Sequence, residues 1–197
     1  MRSVLSILYN FHWIIPDDAA RSAQPYAGFG ERHLRSNGIR SLVNLRGAHP
    51  EWGWWQREAR CCQRLRIAHF NLSMNSRTLP TRAFLLDLLW AFDTAPRPLM
   101  IKCSGGQDRT SFASALYLLH MNGWTAREAA ADQFSVFPYL HFPRRDQRWL
   151  RAFLHFAKDD ASDAPLARWC REQYDPAMLR QWLLKREMSW SFRDATP

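Results

Sequence analysis

The sequence predicts an α/β fold, a mostly parallel sheet of about four or five strands flanked by helices, with a helical C-terminal extension. Three apolar runs have the length and composition of buried strands, and helical segments separate and follow them. The runs are "IRSLVNL" (39–45), "IAHFNL" (67–72) and "LMIK" (99–102). Regular alternation of strands and helices is typical of a parallel sheet that is covered on both faces.

The first part of the chain adds a short strand and a weak helix. The stretch "NFHWII" (10–15) has strand composition, and Pro16 closes it, so we expect a turn next. Residues 26–37 have weak helical periodicity, and Gly38 supplies a stop before the next strand. Residues 51–66 predict a helix because apolar side chains recur there at helical spacing, namely at Trp55, Ala59, Cys62 and Leu65.

The second half of the chain is expected to be mostly helical. A helix can begin after Pro80, with a buried face formed by Phe84, Leu85, Leu88, Leu89 and Phe92. Another helix is expected over 110–122, and Gly123 ends it. Further helices are expected over 125–134 and 144–157, and two more follow them.

The chain is expected to form a single domain. It has 197 residues, of which 47% are apolar, which is enough for one sizeable core. The linker "DDASDAP" (159–165) suits a loop between packed helices better than a domain hinge. We therefore expect a single domain over 1–197, with its core in 1–157 and a helical extension in 158–197.

The charge balance favours an anionic partner. Lysine and arginine outnumber aspartate and glutamate by 27 to 18, which gives a formal charge of +9. Phosphorylated groups, nucleic acid and acidic lipid all fit this charge, and so does a basic surface that only maintains solubility. The apolar start of the chain is too short to span a bilayer, so no transmembrane segment is expected.

Four cysteines indicate a reducing compartment. Cys61, Cys62, Cys103 and Cys170 contain no C-x-x-C pair and are too few for a disulfide scaffold at this length. A cytoplasmic location is therefore expected. Neither these cysteines nor His69 have a recognised ligand spacing, so no metal site is expected.

The stretch "IKCSGGQDRT" (101–110) contains the residues that could take part in a chemical reaction. It lies between a buried strand and the N-terminus of a helix, where unpaired N–H groups and the helix dipole favour an anion. Gly105 and Gly106 let the backbone curl so that several N–H groups point at one centre. We expect a phosphate group to be bound by Ser104, Gly105, Gly106, Gln107, Asp108 and Arg109.

Cys103 is the candidate nucleophile. Nearby helix-terminal N–H groups and an arginine stabilise its thiolate, which makes it reactive near neutral pH. Arg109 can grip two phosphoryl oxygens with its planar guanidinium, and the Thr110 hydroxyl can donate to the thiolate when it departs. A buried structural thiol and a metal ligand are the alternatives for this cysteine.

A cysteine, five residues, an arginine and a threonine form the signature that the cysteine-dependent phosphatases share. The chain resembles that superfamily, and in particular its compact bacterial tyrosine and dual-specificity members. The segments "RSAQP" (21–25), "GIRSLVNLRG" (38–47) and "ASALYLL" (113–119) extend the resemblance, which covers roughly residues 10–157. It implies attack by Cys103 on a phosphomonoester, a phosphocysteine that water hydrolyses, and no metal or other cofactor.

The resemblance leaves the general acid open. Relatives commonly use an aspartate after the strand equivalent to 67–72, but residues 66–80 contain neither Asp nor Glu. Asp108 is the preferred substitute because it stands inside the loop, as in relatives whose loop reads "GKDRTG". The alternative is that Asp108 only ties the loop to neighbouring backbone. Asp132 and Asp146 are weaker candidates.

The resemblance favours a protein tyrosine or dual-specificity phosphatase acting on phosphorylated protein. Alternatives are a phosphoinositide, inositol-phosphate or RNA 5′-phosphatase, a phosphate-binding module without turnover, and a nucleic-acid-binding protein. A phospholipid substrate predicts a basic mouth with an apolar rim, whereas RNA predicts a long basic groove.

Two further groups of residues are ambiguous. One is a helical row of basic residues that can bind an acidic substrate or membrane, or can simply be solvated: Arg144, Arg148, Arg151 and His155. The other is a tryptophan cluster beside Arg46 that can line the active-site mouth or pack in the core: Trp52, Trp54 and Trp55. "RSAQP" is expected to be an architectural turn, although Arg21 can contact the loop.

Overall fold

The computed structural model describes residues 7–25, 30–161 and 164–194. Its strands are β1 (His12–Ile15), β2 (Ala19–Ser22), β3 (Ser41–Asn44), β4 (Ala68–Asn71) and β5 (Leu99–Lys102). They form one sheet in the order β1-β2-β5-β3-β4. Only β1 is antiparallel to its neighbour, and the other three pairings are parallel. The predicted α/β fold with a mostly parallel sheet is therefore confirmed.

Helices cover both faces of the sheet and continue into the C-terminal segment. They are α1 (Gly30–Ser36), α2 (Gly53–Leu65), α3 (Arg82–Thr94), α4 (Asp108–Met121), α5 (Ala126–Gln133), α6 (Trp149–Ala161), α7 (Leu166–Glu172) and α8 (Pro176–Lys185). Short 3-10 turns span Arg145–Gln147 and Ser189–Ser191. Within the described ranges, no helix has the length and apolar character needed to cross a bilayer.

The central strand β5 separates two cores because its side chains alternate between the faces of the sheet. Leu99, Ile101 and Cys103 belong to the larger core, which α3, α4, α6, α7 and α8 help to form. Met100 faces the smaller core, which lies under α1 and α2. Because Lys102 is the next residue on that second face, it points away from Cys103.

Strand β2 was not predicted, since a turn was expected after Pro16 and an architectural turn at "RSAQP". The structure instead places Ala19–Ser22, all buried, beside β5 in the sheet. These four small or polar residues lack the β-branched and aromatic side chains that identify strands. Tertiary contacts, rather than local propensity, hold this strand in place.

Other boundaries differ from the expectations by a few residues. The first helix was expected over 26–37; residues 26–29 lie outside the described ranges, and α1 ends at Ser36. The helix expected over 144–157 is divided into a 3-10 turn and α6, because Asp146 has a non-helical ψ of 18°. Gly38 has φ +63°, as the predicted stop requires.

The C-terminal segment packs into the larger core. Trp169, Tyr174, Leu179 and Leu183 are completely buried there. The Tyr174 hydroxyl donates to the Pro80 carbonyl oxygen at 2.6 Å, which ties this segment to the start of α3. The extension therefore shares its apolar interior with the sheet and helices that precede it.

Candidate active site

The loop between β5 and α4 is held to the protein by its carbonyl oxygens. The backbone N–H of Gln24 donates to Ser104 at 3.0 Å. The Asn10 side-chain amide donates to the carbonyl oxygens of Gly105 and Gly106 at 3.4 and 3.3 Å. These contacts turn three successive carbonyl groups toward the scaffold.

Most N–H groups of the same loop are left available to an anion, although that of Gln107 interacts with the Cys103 sulfur. From Gly105 to Arg109 they donate to no carbonyl group in the parts of the chain that the structure describes. The loop leads directly into α4, whose dipole places partial positive charge at the same end. The arrangement suits a phosphate group.

Gly106 is required by the path of the loop. Its φ is +66°, which favours glycine, and an added Cβ would lie 2.6 Å from the Ala23 nitrogen. At Gly105, by contrast, an added Cβ would meet only the Gln107 side chain, at 3.7 Å. Of the two glycines, only Gly106 is therefore needed for the loop to pack closely on the backbone that follows β2.

Arg21 braces the loop from β2. This completely buried side chain donates through Nη2 to the Gly106 carbonyl at 3.0 Å and to Ser111 Oγ at 2.8 Å. Its Nη1 donates to Gln133 Oε1 at 2.6 Å, and its guanidinium lies 3.8 Å from the centre of the Tyr139 ring. Burial lowers the pKa of Arg21 to about 10, so it stays charged at neutral pH. "RSAQP" thus contacts the loop, and its Arg21 does so from a strand.

Cys103 lies beneath this loop and is buried. Burial by itself raises the pKa of the thiol, but the charge of Arg109, the Thr110 hydroxyl and the N–H groups of Gln107 and Thr110 outweigh it. The pKa of Cys103 is consequently lowered below its ordinary value. A thiolate in this position is the form that attacks phosphorus.

Arg109 extends from the first turn of α4 and is anchored by backbone. Its Nη1 lies 3.4 Å from the Leu45 carbonyl oxygen and 3.3 Å from that of Met74. These carbonyls follow β3 and β4, so two loops at the same edge of the sheet orient the guanidinium. Its positive charge favours the Cys103 thiolate and so lowers the pKa of that thiol.

The Lys102 side chain lies on the opposite face of the sheet from the Cys103 side chain. Its Nζ lies 2.7 Å from Glu58 Oε2 and donates to Gln24 Oε1 at 2.7 Å, on the opposite face of the sheet. Burial lowers its pKa to about 8, against the opposing effect of Glu58. His69 also binds Glu58, at 3.1 Å, and completes a buried polar network under the site.

Asp108 is the carboxylate that the loop itself brings to the cavity. It lines the open side of the site, and its Oδ1 lies 3.3 Å from Nε2 of the buried His141. No local pattern in the sequence connects His141 with this aspartate, because the two residues lie in different elements. Of the weaker candidates, Asp132 accepts from the Gln133 side chain at 2.6 Å, and Asp146 is paired with arginines.

The cavity above the loop has a volume of about 820 Å³ and a basic rim. Arg77, Arg144 and Arg193 line it together with Arg109. Asp146 lies 3.5 Å from Arg77 and 2.6 Å from Arg193, and so fixes two of these side chains. These residues are far apart in the sequence, which is why no local pattern could identify the rim.

The loop residues predicted from the sequence are brought together, while other candidates lie elsewhere. Ser104, Gln107, Asp108 and Arg109 line the cavity. The tryptophan cluster does not contribute to its lining within the described ranges: Trp54 packs under the Arg46 guanidinium at 3.6 Å. Cys61 and Cys62 lie in the smaller core, across the sheet from Cys103.

The comparison with known proteins rests on structure. No family model matches the chain, and no curated protein matches it in sequence. Among solved structures, TpbA from P. aeruginosa has a TM-score of 0.58 at 16% identity, over 90% of this chain and 92% of that one. The core catalytic domain of the PP-IP phosphatase SIW14 from S. cerevisiae has a TM-score of 0.56 at 17% identity, over 91% and 93%.

This is the fold of the cysteine-dependent phosphatases. PTPMT1 in complex with PI(5)P also has it, with a TM-score of 0.51 at 15% identity over 77% of this chain and 99% of that one. At these identities the likeness shows the phosphatase fold alone. It confirms the structural side of the resemblance that the Cys103 loop predicted, and leaves chemistry and substrate to be argued from the site.

Proposed function

We propose that the protein is a cysteine-dependent phosphomonoesterase. The observation that supports this most directly is the position of the buried Cys103 at the start of a loop whose N–H groups donate to no carbonyl group among the described residues. Arg109, Thr110 and N–H groups of this loop lower the pKa of the thiol. A binding module needs the donors but gains nothing from a stabilised thiolate. The chemistry also requires a reduced thiol, so we propose a reducing, cytoplasmic location.

In the first step of the proposed reaction, the Cys103 thiolate attacks phosphorus in line with the leaving oxygen. The sulfur–phosphorus bond forms as the phosphorus–oxygen bond breaks, while the loop N–H groups and Arg109 stabilise the charge on the equatorial oxygens. Asp108, protonated before this step, gives its proton to the leaving oxygen. The products are a phosphocysteine and an alcohol.

In the second step, water attacks the phosphocysteine. The Asp108 carboxylate takes a proton from that water, the phosphorus–sulfur bond breaks, and inorganic phosphate departs. The Thr110 hydroxyl stabilises the departing thiolate; apart from the Cys103 sulfur, its oxygen has no hydrogen-bond partner in the described part of the chain. Because Asp108 ends protonated, the cycle is complete.

For the substrate, we propose a small phosphomonoester with several anionic groups, such as an inositol phosphate or a phosphoinositide headgroup. The rim supports it, because Arg77, Arg144 and Arg193 can bind phosphates beyond the one over Cys103. A phosphotyrosine ring would instead benefit from aromatic walls, and Phe142 is the one aromatic lining residue among those described. SIW14 is described as a PP-IP phosphatase, whereas TpbA has been solved with phosphotyrosine.

The proposed acid is tested by leaving-group dependence. Hydrolysis of para-nitrophenyl phosphate and phenyl phosphate is measured against pH under reducing, metal-free conditions. Cys103→Ser should abolish turnover of both. Asp108→Asn should slow phenyl phosphate by about 100-fold but para-nitrophenyl phosphate much less, since only the poorer leaving group needs a proton.

The matched control is Asp194→Asn, which neutralises another carboxylate of the cavity, one paired with Arg180 at 3.0 Å. It should not change the ratio between the two substrates. If Asp108→Asn slows both substrates equally, the aspartate positions the loop and is not the acid. If the folded wild type turns over neither substrate, the protein is a phosphate-binding module.

The substrate proposal is tested separately by comparing an inositol polyphosphate with a phosphotyrosine peptide. Arg144→Ala should lower kcat/KM for the inositol polyphosphate, relative to para-nitrophenyl phosphate, by about tenfold, the usual size of one charge-assisted hydrogen bond. Preference for the peptide, with an unchanged ratio in Arg144→Ala, would restore the protein tyrosine phosphatase hypothesis.

A further inference from the structure

An apolar ridge stands beside the catalytic cavity. It consists of residues 136–142, in the connection between α5 and α6, and four of its side chains are apolar and exposed. Val136 is 39% exposed, Phe137 80%, Leu140 46% and Phe142 67%. Single exposed apolar residues are common on protein surfaces, but such a cluster within seven residues usually marks a binding surface.

The ridge separates two concave surfaces. Phe142 lines the catalytic cavity on one side. On the other side, Val136 and His141 line a second groove of about 780 Å³, to which Trp182 and Trp190 also contribute. A ligand that covers the ridge therefore lies directly over the mouth of the catalytic cavity.

Positive charge is concentrated at the base of the ridge. Residues 143–151 contain four arginines and one aspartate, and the arginines are all exposed: Arg144, Arg145, Arg148 and Arg151. The aspartate, Asp146, is already occupied by Arg77 and Arg193. Across the described ranges, Arg144 and Arg151 form no ion pair, so their charge is available to an anionic surface.

Some backbone N–H and C=O groups of the ridge form hydrogen bonds within the protein. The Leu140 N–H donates to the Val136 carbonyl at 2.7 Å, and the Asn10 side chain donates to the Tyr139 carbonyl at 3.0 Å. Arg21 holds the Tyr139 ring from below. The exposed tip thus presents mainly apolar side chains, which suits entry into an apolar medium better than a hydrogen-bonded protein interface.

We propose that the apolar ridge and its arginines dock the protein on an anionic lipid bilayer. Phe137 and Leu140 enter the boundary between headgroups and acyl chains, and the arginines at the base contact anionic headgroups. Docking itself does not depend on catalysis. Docking would also bring the catalytic cavity close to phosphorylated headgroups, and this consequence rests on the proposed function.

Docking is tested by flotation with lipid vesicles, using the Cys103→Ser protein so that no lipid is turned over. This protein should float with vesicles of phosphatidylcholine and phosphatidylserine, and scarcely with phosphatidylcholine alone. Adding Phe137→Ser and Leu140→Asn should weaken this binding by about tenfold or more, because both apolar side chains are lost. Asn suits position 140, where φ is +55°.

Two controls separate docking from folding and from catalysis. Trp90→Ser removes a side chain that is 59% exposed on α3, away from the ridge, and should leave vesicle binding unchanged. The Phe137→Ser/Leu140→Asn pair, placed in the wild type, should retain the activity toward para-nitrophenyl phosphate. An inactive wild type whose Cys103→Ser form still binds vesicles would refute the proposed function and leave docking intact.

Docking is refuted if the protein fails to bind anionic vesicles, if neutral vesicles bind equally well, or if the ridge substitutions have no effect. Binding to polyglutamate that depends on the ridge, without binding to vesicles, would also refute it and indicate an acidic protein partner.

Discussion

At the scale of single residues, the acidity of Cys103 is the balance of opposing effects. Burial raises the pKa of the thiol, but Arg109, Thr110 and the loop N–H groups together lower it by more than burial raises it. A lower pKa means that the thiolate fraction, and with it the reaction rate, rises at a lower pH than for an ordinary thiol of pKa about 8.5. The contributions of the side chains can be removed one at a time by substitution.

Thr110→Val keeps the shape of the side chain and removes its hydroxyl. We expect the pKa of Cys103 to rise, because the thiolate loses a hydrogen bond and the thiol does not. The measurement is the rate of alkylation by iodoacetamide against pH. Ser114→Ala, which removes another buried hydroxyl of α4, should leave the midpoint unchanged. Equal midpoints for Thr110→Val and the wild type would contradict this account.

The buried pair of Lys102 and Glu58 contributes to stability from the other face of the sheet. Lys102→Met should lower the free energy of unfolding by about 3 kcal/mol, because it leaves a buried carboxylate without its closest positive charge. Urea unfolding at neutral pH measures this loss. Combining Lys102→Met with Glu58→Gln should recover much of it, whereas additive losses would mean that the two side chains stabilise the fold independently.

At the scale of elements, the sequence predicted the strand and helix on either side of the Cys103 loop because these parts are contiguous. A buried strand, two glycines and an amphipathic helix over residues 99–121 are each recognisable locally, and their order fixes the position of Cys103. Strand β2 was missed because "AARS" (19–22) has no strand-like composition. It is a strand because its backbone pairs with β5, and Arg21 adds a hydrogen bond to Gly106, 85 residues along the chain.

The rim of the cavity could not be predicted for a similar reason. Arg77 follows β4, Arg144 precedes α6 and Arg193 follows α8, so only the folded chain brings them together. The ion pairs of Asp146 with Arg77 and Arg193 are equally non-local. Charge counting indicated an anionic partner, but the placement of that charge depends on tertiary structure.

The two loop glycines offer a matched test of how the element is built. Gly106→Ala should reduce kcat/KM by about 100-fold or more, because a Cβ 2.6 Å from backbone displaces the loop and its N–H groups. Gly105→Ala should change it by less than about threefold, since it meets only a flexible side chain. Gly38→Ala is the control for backbone strain alone, because Gly38 has φ +63° but an added Cβ there would meet no other atom within 4 Å. Equal defects at the two loop positions would contradict the packing argument.

At the scale of the whole molecule, the C-terminal segment is joined in two ways to the rest of the protein, including the cavity above the Cys103 loop. Its Trp169 and Tyr174 are buried with residues of α3, α4 and α6. It also contains Arg193, which lines the cavity and whose backbone N–H donates to the Arg77 carbonyl oxygen at 2.7 Å. Buried contacts thus join the loop, the rim and the extension, and we predict that they unfold as one cooperative unit.

Cooperativity of this kind can be measured. Far-ultraviolet circular dichroism and tryptophan fluorescence should report the same urea transition, since the ten tryptophans are distributed along the chain. Tyr174→Phe removes the hydrogen bond to Pro80 and should shift that whole transition by about 1–2 kcal/mol, while deletion of residues 164–197 should prevent folding because it exposes the larger core. A second transition, or a Tyr174→Phe shift confined to one signal, would instead mean that the extension folds separately. Arg193 would then reach the cavity only through a contact between two independent units.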